Sequence, residues 1–133
     1  MSATHFTKSE IRFLEKNDLG RLATISKDGM PHVVPVSYVF RDEAFLIAVD
    51  YDTRKYRNLT RNKAVAFLVD TLKPNRAVMV QGRAEIFEEG RNFRHAYKIF
   101  HKAFSWVRAE PWKEGEALFI RIRPSTKASW GFR

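Results

Sequence analysis

Three cationic side chains stand together in the segment Thr53-Arg54-Lys55-Tyr56-Arg57-Asn58. Thr53 is a typical N-cap residue, so the cations would fall in the first turn of a helix that reaches Arg61. Cations are unfavourable there, because the N-terminus of a helix carries partial positive charge. An anion held by free N–H groups, the Thr53 hydroxyl and the cationic side chains would offset that cost. The segment therefore indicates a phosphate site, with a solvated basic turn as the alternative.

The composition bounds what kind of protein this is. The chain has 133 residues, of which 44% are hydrophobic and none is Cys, so we expect one domain over residues 1–133 without disulfides or thiolate metal sites. The net charge of +9 favours anionic partners such as nucleotide cofactors, nucleic acid or acidic metabolites. No apolar run approaches the length of a membrane span, and no leader segment is apparent, so we expect a cytoplasmic protein without membrane contact.

The rest of the chain, which must position the cationic helix, is predicted to form mostly strands. A capping box, Thr7-Lys8-Ser9-Glu10, opens a first helix that should end near Asn17 or Asp18. The turn signal Asp28-Gly29 joins two strands into a hairpin. Expected strands run over residues 21–27, 30–40, 44–50, 64–69, 76–87 and 117–123, and a helix over 91–107. This pattern predicts a mainly β protein with flanking helices, built on a six-stranded antiparallel barrel.

Two strands carry residues that interrupt regular pairing. Pro31 and Pro35 cannot donate ladder hydrogen bonds, so the second strand must lie at an edge or form a bulge at Pro35. Gly82 interrupts the fifth strand and indicates a bulge or a close backbone approach. The residues after Arg123 are expected to form a tail.

Common catalytic and metal-binding motifs are absent from the sequence. There is no phosphate-binding Gly-rich loop, no dinucleotide fingerprint and no nucleophile elbow. The four histidines lack metal-ligand spacing, so we expect no metal site. If the protein is an enzyme, a cofactor is expected to carry the chemistry. The catalytic residues are unknown, and Tyr38 and His32 are the side chains to test as proton donors.

The predicted strand arrangement could bring three segments together around one ligand. They are the Pro-bearing strand from His32 to Tyr38, the helix start at Thr53, and Gln81-Gly82-Arg83. The free backbone groups of a broken strand and the side-chain amide of Gln81 can form hydrogen bonds with the edge of a planar heterocycle. The helix start can bind a phosphate group. Without a ligand, Pro35 would simply prevent unwanted pairing at the edge of the sheet, and Gln81 would be an ordinary surface residue of its strand.

An ordered set of motifs carries a family resemblance. The segments are Gly20-Arg21-Leu22-Ala23-Thr24-Ile25, then Asp28-Gly29-Met30-Pro31-His32-Val33-Val34-Pro35-Val36, then Thr53-Arg54-Lys55-Tyr56-Arg57-Asn58-Leu59, then Val80-Gln81-Gly82. In this order they resemble the pyridoxamine 5'-phosphate oxidase-like, flavin-binding split β-barrel superfamily.

The resemblance implies a six-stranded split barrel, a homodimer, and FMN bound at the dimer interface. Lys55 and Arg57 would hold the cofactor phosphate, with Thr53 and Arg54 nearby. The remaining residues that the resemblance places in the site are Pro35, Val36 and Ser37 along the isoalloxazine ring and Gln81 at its polar edge.

The chain also departs from the founding enzyme of that superfamily. Its tail reads Ser129-Trp130-Gly131-Phe132-Arg133, where the founding enzyme has an Arg-x-His type segment for pyridoxal phosphate. We therefore expect a flavin oxidoreductase acting on an unidentified small-molecule substrate. The alternatives are a reductase that uses the deazaflavin F420, and a non-catalytic module that binds flavin or nucleic acid, of which nucleic acid is the weaker expectation.

Overall fold

Six antiparallel strands close into a barrel within residues 4–132, which are the residues that this computed structural model describes. Around the barrel the strands follow the order β1-β2-β3-β6-β5-β4. The elements are α1 Lys8–Lys16, β1 Leu19–Ile25, β2 Pro31–Arg41, β3 Ala44–Val49, α2 Arg54–Arg61, β4 Ala64–Thr71, β5 Arg76–Phe87, α3 Gly90–Ala103, α4 Ser105–Ala109 and β6 Leu118–Trp130. The mainly β barrel with flanking helices that the sequence predicts is confirmed.

Aromatic side chains fill two apolar clusters. One cluster occupies the barrel interior, and the other lies between α3, α4 and the outer surface of β3 and β6. Ten of the 11 Phe residues are buried, and the remaining one, Phe132, is half-buried. Few of these rings are therefore left on the surface to stack with bases, which weakens the case for a single-strand nucleic-acid binder.

The capping box at the start of α1 is present and also ties α1 to β6. The backbone N–H of Glu10 donates to the Thr7 hydroxyl, and the Glu10 carboxylate accepts from the Thr7 N–H. The same carboxylate accepts from Lys127 Nζ at 2.6 Å and from the Ser129 hydroxyl. Burial raises the pKa of Glu10, but these hydrogen bonds outweigh burial and leave it below its ordinary value.

The first half of β2 is an open edge. Residues 31–37 pair with β1, whereas β2 pairs with β3 only from Tyr38 to Arg41. The bond from Tyr38 N–H to the Asp18 carbonyl means that even-numbered residues of β2 bond to β1. Pro31 and Pro35 therefore face the open edge, where a missing N–H costs no ladder bond. Of the two alternatives for Pro35, the edge position is correct.

The helix predicted over residues 91–107 is two helices, which corrects the sequence prediction. Phe104 is extended, with φ −127° and ψ 124°, and separates α3 from α4. Arg108 donates to the carbonyls of His101 and Lys102, so a side chain satisfies the end of α3. The apolar spacing continues through the break to the buried Val107, so periodicity alone suggests one helix.

The last strand is longer than predicted, because β6 includes most of the expected tail. Pro124 pairs opposite Gly82, where the register of β5 and β6 shifts. This irregularity tolerates a residue without an N–H, and pairing resumes up to Trp130. A Cβ on Gly82 would lie 2.8 Å from the Arg123 carbonyl, so the close approach predicted at this glycine is confirmed. Among the described residues, no helix is long and apolar enough to cross a bilayer.

Candidate functional site

The start of α2 has the predicted N-cap, with its hydroxyl fully engaged. Thr53 Oγ1 accepts from the Tyr56 N–H at 3.3 Å and donates to the Asp50 carbonyl at 2.7 Å. Thr53 therefore shapes the helix start, and its hydroxyl hydrogen is not free for a ligand. The N–H groups of Arg54 and Lys55, in the first turn, have no acceptor among residues 4–132.

One face of α2 lines a basic cleft against the β1–β2 hairpin. We call it the helix cleft, and its volume is about 580 Å³. Its lining residues are Ser26, Lys27, Asp28, Arg54, Arg57, Asn58 and Arg61. The four residues from α2 recur at the spacing of one helical face, which brings three guanidinium groups to the same surface. No acidic residue lies in the first turn of α2. The cleft is thus suited to an anion.

A buried hydrogen bond fixes this helix against the barrel. Asn58 Nδ2 donates to Thr24 Oγ1 at 3.0 Å, and both residues are 1% exposed. Thr24 lies on β1, whose next residues lead into the hairpin that forms the other wall of the cleft. The bond therefore sets the separation of the two walls.

Asp28 is the one carboxylate among the described residues that line the helix cleft. It accepts from the Ser26 hydroxyl and from the Met30 N–H. The hydroxyl bond lowers the pKa of Asp28 most, and the charge of Arg54 contributes further. Asp28 is therefore ionised at neutral pH, beside the cations of α2.

Lys55 lies on the barrel side of α2 and does not line the helix cleft. Helical spacing places it between Asn58 and Leu59, which are 1% and 0% exposed. Lys55 itself is half-buried, and its ammonium makes no hydrogen bond or ion pair with any described residue. Because Lys55 is half-buried and its ammonium has no partner among the described residues, that ammonium is available to a ligand that reaches under the helix.

The three predicted residues of β2 divide between two faces. Pro35 and Ser37 face outward along the open edge, whereas the Val36 side chain is 8% exposed and packs in the barrel core. Any contact of Val36 with a ligand in the open edge would involve its backbone. The open edge offers the N–H groups of Val33 and Ser37 and the carbonyls of alternate residues.

Gln81 lies in a second cleft, which we call the sheet cleft. Its volume is about 420 Å³, and Thr24, Pro31 and Ser125 also line it. Gln81 Oε1 accepts from the Thr126 hydroxyl at 3.1 Å, which leaves the amide hydrogens of Gln81 without an acceptor among the described residues. Both clefts border the end of β1, since Thr24 and Ser26 are two residues apart.

The sheet cleft opens onto an apolar outer face of the barrel. Register places Val33, Ala23, Ala66 and Gln81 in one outward row across β2, β1, β4 and β5. Pro35 stands in the adjacent row, about three strand spacings or roughly 14 Å from β5. Large apolar side chains are exposed at Leu19 (53%), Val33 (62%) and Trp130 (51%). Such a patch on a barrel face is typical of an interaction surface.

The two side chains considered as proton donors have different environments. Tyr38 is 1% exposed and donates to the Leu14 carbonyl at 2.7 Å, while burial raises the pKa of its phenol. Tyr38 is therefore a core residue, which corrects its candidacy as a proton donor. His32 lies opposite Thr24, and its buried Nδ1 has no partner among the described groups. His32 remains a side chain to test.

Sequence reasoning missed five residues of the helix cleft: Ser26, Lys27, Asp28, Asn58 and Arg61. The signal for the two from α2 was present, because Arg54, Asn58 and Arg61 follow the i, i+4, i+7 spacing of one face. The hairpin residues gave no such signal, since their place opposite α2 depends on closure of the barrel.

Comparison with known proteins finds one family model that matches most of the chain. Residues 7–130 match the family model described as pyridoxamine 5'-phosphate oxidase. A 5a,11a-dehydrotetracycline/5a,11a-dehydrooxytetracycline reductase of Streptomyces rimosus is 35% identical over 115 residues, covering 80% of this chain and 78% of the relative.

Solved structures with the same fold include two whose descriptions name a cofactor. A FAD-binding protein from Mesorhizobium loti has 26% identity and a TM-score of 0.73, with 97% of each chain covered. A structure described as an F420 reductase has 25% identity and a TM-score of 0.69, covering 88% of this chain and 94% of the other.

Proposed function

The chain belongs to the pyridoxamine 5'-phosphate oxidase family, and on that premise we propose that it is a flavin-dependent oxidoreductase that binds FMN. The observation that carries this proposal is the helix cleft together with Lys55. The guanidinium groups of Arg54 and Arg57 lie at the start of α2, together with one ammonium that has no partner among the described residues. The first turn has no acidic residue, and two of its N–H groups have no acceptor among residues 4–132. That arrangement favours a phosphate group.

Cofactor binding would use the residues in distinct ways. Lys55 and Arg57 would contact the phosphate, and Arg54 would add charge at the cleft mouth. Thr53 would act through the helix start that it caps. The open edge at Pro35, Val36 and Ser37 would lie along the flavin ring. These assignments rest on the resemblance, and the unpaired groups described above support them.

Gln81 would form hydrogen bonds with the polar edge of the flavin ring. Its amide hydrogens lack an acceptor among the described residues, and a flavin ring edge carries carbonyl acceptors. Gln81 and the open edge of β2 share the outward face, which supports a ligand that extends across the sheet.

We propose that the protein forms a homodimer through this outward face. The apolar row at Val33, Ala23 and Ala66 and the exposed Leu19 need cover, and a second copy would supply it. The sheet cleft opens on the same face, so a partner would also close it and exclude water from the ring.

The chemistry would belong to the cofactor. A bound flavin exchanges hydride with a substrate at its N5 atom. The chain would bind the phosphate, orient the ring and exclude water. The reductase from Streptomyces rimosus supports a small-molecule substrate that is reduced, and the substrate of this chain stays unidentified.

The visible spectrum of the freshly purified protein tests the proposal. We expect flavin absorption bands, and after removal of the chromophore we expect FMN to restore them with one equivalent per chain. A colourless protein that neither FMN nor F420 titrates would contradict flavin-dependent function.

An F420-dependent reductase is the second candidate, because one solved structure of this fold is described as an F420 reductase. Lys27 and Arg61 extend the positive surface of the helix cleft beyond the first turn of α2, where an anionic tail could lie. Parallel titrations with FMN and F420 separate the candidates. Tight binding of F420 together with absent binding of FMN would select the second.

A further inference from the structure

A third cleft lies at the opposite end of β1 from the helix cleft. We call it the tail cleft, and its volume is about 550 Å³. Its walls come from α1, from the turn between β4 and β5, and from the end of the chain. The described lining residues are Ser9, Arg12, Phe13, Lys16, Asn17, Thr71, Lys73, Pro74, Arg76 and Phe132.

Four of these residues are cations and none of the described lining is acidic. Arg12, Lys16, Lys73 and Arg76 take part in no ion pair with a described carboxylate. Arg12 and Lys16 also stand at i, i+4 on α1, where like charges destabilise a helix. Lys16 suits the helix C-terminus, but Arg12 has no such compensation. Unpaired charge of this density favours a bound anion.

Phe132, which follows β6 and Gly131, forms one wall of this cleft. Gly131 has φ 87°, and a Cβ there would collide with the Asn75 carbonyl, so the close approach requires glycine. Arg76 Nε donates to the Gly131 carbonyl at 3.1 Å. The terminal nitrogens of Arg76 have no hydrogen-bond partner among residues 4–132 and are available to a ligand.

Aromatic contacts give the tail cleft an apolar surface beside its charges. The Arg76 guanidinium lies 5.6 Å from the centroid of the Phe132 ring. Phe132 in turn packs edge-on against the buried Phe13, with 5.3 Å between ring centroids. Phe132 is thereby held in place, and Pro74 adds apolar surface on the opposite wall.

We propose that the tail cleft binds a small molecule that carries two or more negative charges and an apolar group. Phosphate groups and carboxylate groups share the required charge, and the guanidinium groups of Arg12 and Arg76 can contact either. The apolar group packs on Phe132 and Pro74. This site is separate from the helix cleft, and it does not depend on the proposed flavin.

Titrations followed by backbone NMR of the ¹⁵N-labelled protein test the site, because they report each cleft separately. Pyrophosphate, tricarballylate and ADP serve as probes, and the first two distinguish phosphate from carboxylate. We expect the amides of Lys73, Arg76 and Phe132 to shift, with ADP binding more tightly than pyrophosphate because of its apolar group. Shifts at residues 53–58 would report the helix cleft instead.

Matched variants decide whether the cleft itself is responsible. Arg12→Gln with Lys73→Gln removes two charges from the cleft, and Arg91→Gln with Lys98→Gln removes two exposed charges from α3. The first pair should weaken binding at Phe132 on the order of tenfold or more, and the second should leave it unchanged. Absence of shifts at Arg76 and Phe132 with all three probes, or equal weakening by both pairs, would overturn the proposal.

Discussion

The side-chain amide of Asn58 donates to the hydroxyl of Thr24 over 3.0 Å, and this buried bond joins the cationic helix α2 to the first strand of the barrel. Since both residues are 1% exposed, water cannot replace either partner. The bond links the barrel core to the geometry of the helix cleft, because Arg54, Arg57 and Arg61 share the face of α2 that Asn58 anchors.

Asn58→Ala should therefore affect both stability and cofactor binding. We expect a loss of about 1–3 kcal/mol in the free energy of unfolding, since Thr24 is left buried without its partner. Cofactor affinity should fall as well, because α2 is no longer held at its position. Urea unfolding and FMN titration measure the two effects. Thr60→Ala, on the exposed side of the same helix, should change neither.

Asp28→Asn should tighten the binding of a phosphate-bearing cofactor several-fold. The carboxylate competes with the ligand for the cations of the helix cleft, and its lowered pKa keeps it charged at neutral pH. Asn retains an oxygen that can accept from Ser26 and Met30. The gain should shrink in high salt, because screening weakens the competing charge. Weaker or unaltered binding at low ionic strength would argue against a ligand in this cleft.

Glu10 makes stability depend on pH in a definite direction. Its folded pKa is lowered from an ordinary value of 4.5, so its contribution is complete above that value and is lost as pH falls through the folded pKa. Glu10→Gln should lower the free energy of unfolding by about 2 kcal/mol at neutral pH and by progressively less towards acid pH.

Urea unfolding of both proteins between neutral pH and about pH 3 measures this convergence. Glu15→Gln, on the exposed surface of α1, is the matched control and should show a far smaller difference. A difference for Glu10→Gln that stays constant with pH would contradict the assigned role of its charge.

Val33→Asp should separate the proposed dimer. Val33 is 62% exposed on the outward apolar face, and a carboxylate there would need to be desolvated against a second copy. Light scattering should report a monomer, and FMN affinity should fall with it. Leu72→Asp places the same charge at a residue that is 78% exposed in the β4–β5 turn, and it should leave the dimer intact. A dimer that survives Val33→Asp would place the interface elsewhere.

Local patterns predicted most of the fold because they have local physical causes. The capping box at Thr7, the turn at Asp28-Gly29 and the proline edge of β2 all appear as expected. The break at Phe104 and the extension of β6 past Pro124 depend on long-range partners, namely Arg108 and the irregular register at Gly82. Those partners are not visible in sequence spacing.

The sequence predicted the types of residue in the candidate site better than it predicted where each side chain lies. The cations of α2 suggested an anion site, and Arg54 and Arg57 do line a cleft. Lys55 lies instead on the barrel side of the helix, and Val36 points into the core. The roles predicted for these residues in cofactor binding stay predictions, because they depend on where a ligand lies between two clefts.

Fluorescence titration of FMN into the apo protein and its Lys55→Ala and Arg57→Ala variants tests the central claim most directly. Each variant should bind FMN with a loss of about 1.5–3 kcal/mol, the expected cost of one charge-assisted phosphate contact. Arg91→Ala, an exposed change on α3, should bind like the unaltered protein, and all variants should keep the same circular dichroism spectrum. Unchanged FMN affinity in both Lys55→Ala and Arg57→Ala would contradict a phosphate site at the start of α2.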